Sequence, residues 1–265
     1  PKIVSLYLTN LSTKEIKIST LKRRLVSIGV IHKLKGHYLD TKHPSIVENI
    51  MGIKRRKGSV QIGKKPLLIN NLKKIINVID QQSIAEIKKL RDRSIILVGF
   101  AGAFRRKELV SLNFEDLDFV TEGLKINIRR SKTDQYGEGF TKGLPYFDTP
   151  LFCPVISIQK WIKLSNISSG PLFRRFTKGA NLLEKRLTDQ TVALLIKEYL
   201  NLAGIDNRNY SGHSLRSGFA TTAAESGVEE RSIMAMTGNK SSEMVRRYIK
   251  EANLFKNNPL NKIKL

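Results

Sequence analysis

The sequence predicts a mainly α protein in two units, with a small antiparallel β-sheet. Three observations predict it. Apolar residues recur at three- and four-residue spacing over most of the chain, one short segment alternates with period two, and a basic, glycine-bearing stretch near residue 60 has no period.

Residues 1–56 read as short helices. Ser19 can cap a helix whose apolar positions Leu21, Leu25, Ile28 and Ile31 form a stripe, with Lys22, Arg23 and Arg24 off it. Pro44 stands where a first helical residue belongs, and Ile46, Val47, Ile50 and Met51 follow it. Periodicity is lost from Arg55 to Gly63, so roughly 54–66 reads as a basic linker between a unit at 1–60 and a second at 66–265. In the second unit, Leu68–Ile79 and Ser83–Phe104 read as helices. The run from Ile95 to Val98 makes the latter apolar enough to be buried. The segment from Leu124 to Arg129 alternates, which predicts a strand with one buried face. Asp134 to Gly139 carries turn residues, and Phe140 to Phe147 can return as the paired strand. After Pro154 helices are expected over 155–165, 188–203, 214–226, 229–237 and 242–250.

Composition narrows the function. With 265 residues, 40% of them apolar, the chain can bury a core without disulfides. No apolar run approaches the roughly 18 residues of a membrane span, and the opening residues lack a signal-peptide pattern. The chain opens at Pro1 rather than Met, which suggests a missing start segment. Cys153, the only cysteine, fits a reducing, cytoplasmic setting and reads as a small buried residue. The net charge is +24, and half of it lies in residues 1–65, where fifteen Lys or Arg face only Glu15, Asp40 and Glu48. Such density argues for a polyanion, with nucleic acid the commonest. A membrane partner would need a helix with a broad exposed apolar face, and none is in evidence. Lys22, Arg23, Arg24 and the run Lys54-Arg55-Arg56-Lys57 are the candidate DNA-backbone contacts.

The chemistry is carried by scattered residues. A phosphodiester is negative and gains charge in the transition state, and planar guanidinium groups match its oxygens in a bidentate fork. Arg216 follows His213 by three residues on one expected helix, so both face the same way. That pattern alone arises by chance. Its company makes it specific: Gly212 before it, apolar Leu215, Phe219 and Ala223 behind it, and Tyr248 thirty-two residues after Arg216. Arg105 or Arg106 can supply a second guanidinium. Lys132 sits in Arg-Ser-Lys-Thr-Asp between a strand and a turn. Tyr248, in Arg-Arg-Tyr-Ile, lies on an apolar stripe with Met244, Val245 and Ile249. A phenol of pKa ~10 attacks phosphorus only if its proton is accepted or its anion stabilised, and a cationic site does the second. Tyr146, Tyr199 and Tyr210 lack this setting.

The ordered set resembles the tyrosine recombinases, the phage integrase family, over about residues 66–260. More loosely, 1–65 resembles the family's helical core-binding domain. The family's spacing of Gly, Arg and Glu-Leu selects Arg105 over Arg106 and makes Glu108 the acidic partner that orients neighbouring groups. The resemblance makes Lys132 the hairpin lysine that protonates the leaving 5′ oxygen. It implies that Tyr248 forms a 3′-phosphotyrosyl bond and that a hydroxyl from a partner duplex reverses the step. No metal, nucleotide or other cofactor is needed. It further implies double-stranded DNA as substrate, a homo-tetramer on two duplexes, and action on the nucleoid of a bacterium or on phage or mobile-element DNA. The segment from Leu254 to Leu265 resembles the tail that docks on a neighbouring protomer. One position departs from the pattern: Asn239 stands nine residues before Tyr248, where the family usually carries His or Trp. An amide can donate a hydrogen bond but cannot carry charge. Two alternatives share the residues, a catalytically impaired DNA-binding protein of the same fold and a type IB topoisomerase. The basic first unit and the tail favour recombination.

Overall fold

The computed structural model describes residues 1–58, 63–130, 139–239, 241–252 and 259–263. The chain divides into two units, Pro1–Gly63 and Lys64–Leu265.

The first unit is three helices, α1 (Lys2–Thr13), α2 (Ile18–Leu34) and α3 (Pro44–Lys57). Val4, Leu8 and Leu11 of α1, Leu21 and Leu25 of α2, and Ile46 and Ile53 of α3 form its core. Pro44 opens α3 as expected, since it lacks the N–H that a first turn leaves unsatisfied. Several expectations are corrected. The run Lys54-Arg55-Arg56-Lys57 is the last turn of α3 and not linker. Four cations there complement the negative end of the helix dipole. Arg56 also donates to Ser12 Oγ at 2.7 Å, and Lys57 to the carbonyl of Lys14 at 2.5 Å, so both tie α3 to the end of α1. Helix α2 starts at Ile18 behind Lys17, which leaves Ser19 inside its first turn. Ile16 and Ile18 pack on the core and draw the helix start forward. Ile31, in the last turns of α2, is exposed. Val47 and Met51 are likewise exposed, and α3 buries the narrower stripe Ile46, Ile50 and Ile53.

The second unit opens with α4 (Ile69–Gln81) and α5 (Glu86–Ala101), followed by the short α6 (Arg106–Ser111). Helix α5 is buried from Leu90 to Phe100, as its apolar run predicts. Burial there includes Arg91 and Asp92, whose carboxylate accepts from Arg91 Nε at 2.8 Å and from the Tyr199 hydroxyl at 2.7 Å. Desolvation, with that carboxylate's charge, holds the Tyr199 phenol well above its usual range. Strands β1 (Leu117–Val120), β2 (Gly123–Ile128) and β3 (Phe140–Pro145) form an antiparallel sheet in that order, with Leu124 opposite Leu144 and Ile126 opposite Lys142. Helix α7 (Pro154–Ser165) packs on α5, and Trp161 donates its indole N–H to the Leu172 carbonyl at 3.0 Å. Cys153 is buried and free.

A second hairpin, β4 (Arg174–Phe176) with β5 (Leu182–Arg186), was not expected. Three and five residues rich in charge give no period to read. Arg186 of β5 donates to the carbonyls of Val110 and Leu112 and to Asn113 Oδ1, and so closes the C-terminal end of α6. Helices α8 (Asp189–Leu202), α9 (Ser214–Glu225), α10 (Glu230–Thr237) and α11 (Ser242–Ala252) complete the unit. Ala220, Ala223 and Ala224 of α9 pack on Ile233 of α10 and Val245 of α11, with Tyr248 and Ile249 against them. Lys132, the turn residues Asp134 to Glu138 and tail residues Leu254–Asn258, Lys264 and Leu265 lie outside the described residues.

Candidate active site

The site begins where α5 stops. Gly102 and Ala103 turn the chain, Ala103 at a φ of 48°, and a Cβ on Gly102 would stand 2.2 Å from the Phe104 ring. Glycine is therefore required three residues before Arg105. Arg105 is the residue before α6 and Glu108 lies in its first turn. The Glu108 carboxylate accepts the Arg105 backbone N–H at 2.9 Å and its guanidinium at 2.6 Å. One acid thus satisfies a helix-start donor and fixes the arginine's direction.

Helix α9 supplies the centre. Gly218 brings it against the preceding chain: a Cβ there would meet the Leu67 carbonyl oxygen at 2.0 Å. Leu67 also donates its N–H to the Ser214 carbonyl at 2.8 Å. So seated, α9 buries Arg216, which is 4% exposed. Its guanidinium donates to the Ala103 carbonyl at 3.0 Å and to Asn239 Oδ1 at 2.6 Å. Arginine has no acceptor, so Asn239 must offer its oxygen there and turn its NH₂ elsewhere. Desolvation, with Arg105 nearby, lowers the Arg216 pKa to about 10, while Glu108 and Tyr248 act to raise it. Arg216 therefore stays charged at neutral pH, and Tyr248 lies within its field. Asn239 follows Gly238, whose φ of 60° ends α10 in the left-handed region. Tyr248, on α11, is half-buried.

His213 precedes α9 and reaches solvent. Its pKa is lowered, first by desolvation and then by Arg216, Arg105 and Arg106. The imidazole is thus neutral at pH 7. It lines a cleft of 620 Å³ with Arg105, Arg106, Glu108, Arg130 and Asp189. Arg106 is turned across Gly212 toward Asp189, its guanidinium 3.8 Å from that carboxylate, away from the Glu108 partnership that Arg105 holds.

Of the residues singled out in the sequence, Arg105, Glu108, His213, Arg216, Asn239 and Tyr248 converge, and Lys132 lies outside the described residues. Lys22, Arg23, Arg24, Lys54, Arg55, Arg56 and Lys57 are exposed on the first unit. Sequence reasoning missed Lys142, which is 3% exposed and lies within the fields of Glu108, Arg216 and Arg105. The signal was present: Lys142 and Leu144 share the buried face of β3 by period two. Among the described residues, no three His, Cys, Asp or Glu side chains are grouped to hold a metal ion. No helix among them is long and apolar enough to cross a membrane.

A family model described as the phage integrase family matches residues 66–254. An integrase/recombinase XerD homolog of Selenomonas ruminantium is 38% identical over 266 residues, covering 99% of this chain and 77% of that protein. Tyrosine recombinase XerA of Pyrococcus horikoshii is 29% identical over 201 residues, 76% of this chain and 62% of that one. Among solved structures, XerH site-specific recombinase bound to palindromic difH substrate, in a post-cleavage complex, superposes with a TM-score of 0.70 at 18% identity, covering 97% of this chain and 72% of that one. The Tn1549 transposon integrase with transposon right-end DNA gives 0.64 at 13% identity, covering 96% and 84%.

Proposed function

This chain belongs to the phage integrase family, the tyrosine recombinases, and from that premise we propose that it cleaves and rejoins duplex DNA at a specific site through a covalent bond to Tyr248. The observation that carries the reading is the convergence on Arg216. A buried, charged guanidinium touches the turn before Arg105, holds Asn239, and acts on the Tyr248 phenol. A phosphate that reaches this point meets two guanidinium groups, one aimed by Glu108, in a desolvated setting where each interaction is stronger than in water.

The Tyr248 oxygen attacks the scissile phosphorus, forming a 3′-phosphotyrosyl bond as the bond to the 5′ oxygen breaks. His213, neutral at pH 7, can take the phenolic proton, and Lys132 is the donor to the departing 5′ oxygen. Arg105 and Arg216 bear the charge that develops on the nonbridging oxygens, with the Asn239 NH₂ as an additional donor. A 5′ hydroxyl from a second duplex then displaces Tyr248. Bond energy is kept in the phosphotyrosyl link, so no nucleotide and no metal is consumed. The palindromic substrate of XerH supports protomers acting in pairs on each site; exchange between two such sites would take four. The first unit acts as the core-binding domain, a role supported by its charge. The single cysteine, free and buried, supports action on DNA in a reducing compartment.

The test is covalent-complex formation on a nicked duplex. The native chain should form an adduct, and Tyr248→Phe should bind the same DNA and form none, since it loses only the nucleophilic oxygen. An adduct at native level from Tyr248→Phe eliminates that residue as nucleophile. Strand exchange between two duplexes separates a recombinase from a topoisomerase.

A further inference from the structure

Lys142 is a buried cation without a carboxylate salt bridge among the described residues. Its ammonium donates to the Gly102 carbonyl and to the Met236 carbonyl, the latter at 2.5 Å. It stands 4.7 Å from the Phe104 ring centre and 5.5 Å from that of Phe140. Gly102 lies three residues before Arg105, and Met236 three before Asn239. Arg216 bonds the neighbouring groups of the same two segments, the Ala103 carbonyl and the Asn239 side chain. Two cations from different elements therefore cross-link one turn to one helix end.

An apolar residue at this register would bury at no electrostatic cost. The Lys142 pKa is lowered to about 7, first by desolvation and then by Arg216 of α9 and Arg105 beside α6, with only Glu108 of α6 opposing them. The two carbonyls and the faces of two aromatic rings favour the charged form. A cost of this kind at the centre of a site calls for a local function.

We propose that Lys142 is a positioning residue, an ammonium staple that holds the Gly102–Ala103 turn against the end of α10 and so sets the spacing between Arg105 and Asn239. The role rests on the strand-transfer reading for its consequence, not for its geometry. A phosphate bound between Arg105 and Arg216 offsets the two like charges facing Lys142, so the charged staple and the DNA-bound site favour each other.

Two readouts on the full chain test it, with Lys142→Met (one atom shorter, apolar, no donor) and Lys142→Gln (one atom shorter, neutral donor). The first is amide hydrogen exchange. Both variants should exchange faster over residues 102–108 and 234–239, while α7 is unchanged. The second is single-turnover adduct formation on a nicked duplex. The misplaced clamp should slow Lys142→Met by roughly 10- to 100-fold at saturating DNA. The native rate should fall as pH rises above the Lys142 pKa, which DNA raises from its free value, and Lys142→Met should lack that limb. Unchanged exchange in both variants overturns the staple. So does loss of the whole fold in both, which would make Lys142 a plain core residue. If the native chain forms no adduct, the strand-transfer reading fails, and the exchange data alone decide the staple.

Discussion

In the proposed strand-transfer reaction, Asn239 should be the side chain that sets the rate. Its oxygen is committed to Arg216, which directs its NH₂ away from the guanidinium. A neutral donor stabilises a nonbridging oxygen less than an imidazolium would. One transition-state donor contributes a factor of about 10² to 10³ where it has been removed from other enzymes, and Asn239 should retain part of that. The native chain should therefore cleave slowly, Asn239→His faster and Asn239→Ala slower, in single-turnover cleavage of a nicked duplex at fixed salt and pH. Asn239→Ala has a second effect, because it takes from Arg216 an acceptor at 2.6 Å. Equal rates for all three would mean that position 239 does not reach the phosphate.

Helix α9 is the element on which the site depends, because it carries Arg216 and follows directly on His213. Its seat is Gly218 against the Leu67 backbone, where neither side has a flexible side chain to move aside. Gly218→Ala should push the helix from that seat at a cost of about 1–3 kcal/mol, the usual range for overpacking. In a unit of this size each kcal/mol lowers Tm by roughly 2–4 °C. Thermal melting should show that loss, and adduct formation should fall with it because Arg216 leaves Ala103 and Asn239. Melting at the native temperature would mean that the Leu67 segment yields freely. Helix α3 gives a contrast: all four of its last cations are exposed, but among the described residues only Arg56 and Lys57 bond the end of α1.

For the whole molecule the governing quantity is charge. A net +24 in 265 residues makes counterion release the main part of DNA affinity. A chain making six to ten phosphate contacts should lose about 10³ to 10⁵ in affinity between about 50 and 200 mM salt. Lys54→Ala and Arg55→Ala should each lower the slope of log affinity against log salt by about 0.9, with a smaller loss of melting temperature than Arg56→Ala. Arg56→Ala should also destabilise the first unit, because it leaves buried Ser12 Oγ without that donor. Affinity that holds constant over this salt range would exclude a surface that tracks phosphates.

The long helices were legible because burying an apolar stripe is a property of local spacing: α4, α7, α8 and α9 begin and end within a few residues of where that spacing sets them. The ordered residues were legible for another reason: guanidinium groups suit a phosphodiester, which pointed to Arg216 with Arg105 or Arg106, and the family resemblance then selected Arg105 and Glu108 and set His213 and Tyr248 in order. Local spacing does not determine which side chains turn inward on a partner. Ile31, Val47 and Met51 match a helical stripe yet stay exposed, and α3 turns only the narrower stripe Ile46, Ile50 and Ile53 to the core. The hairpin of β4 and β5 has too few residues to show a period, and its contribution is an arginine that closes α6 from elsewhere in the chain. Lys142 is the clearest case. In the sequence it is one lysine among many, and only the pairing of β3 with β2 beside the turn at Gly102 and the end of α10 makes it a buried cation at the centre of the site. Residue type and spacing determined most of the elements and the family. Tertiary structure decided which charges are desolvated, because desolvation depends on groups distant in the chain.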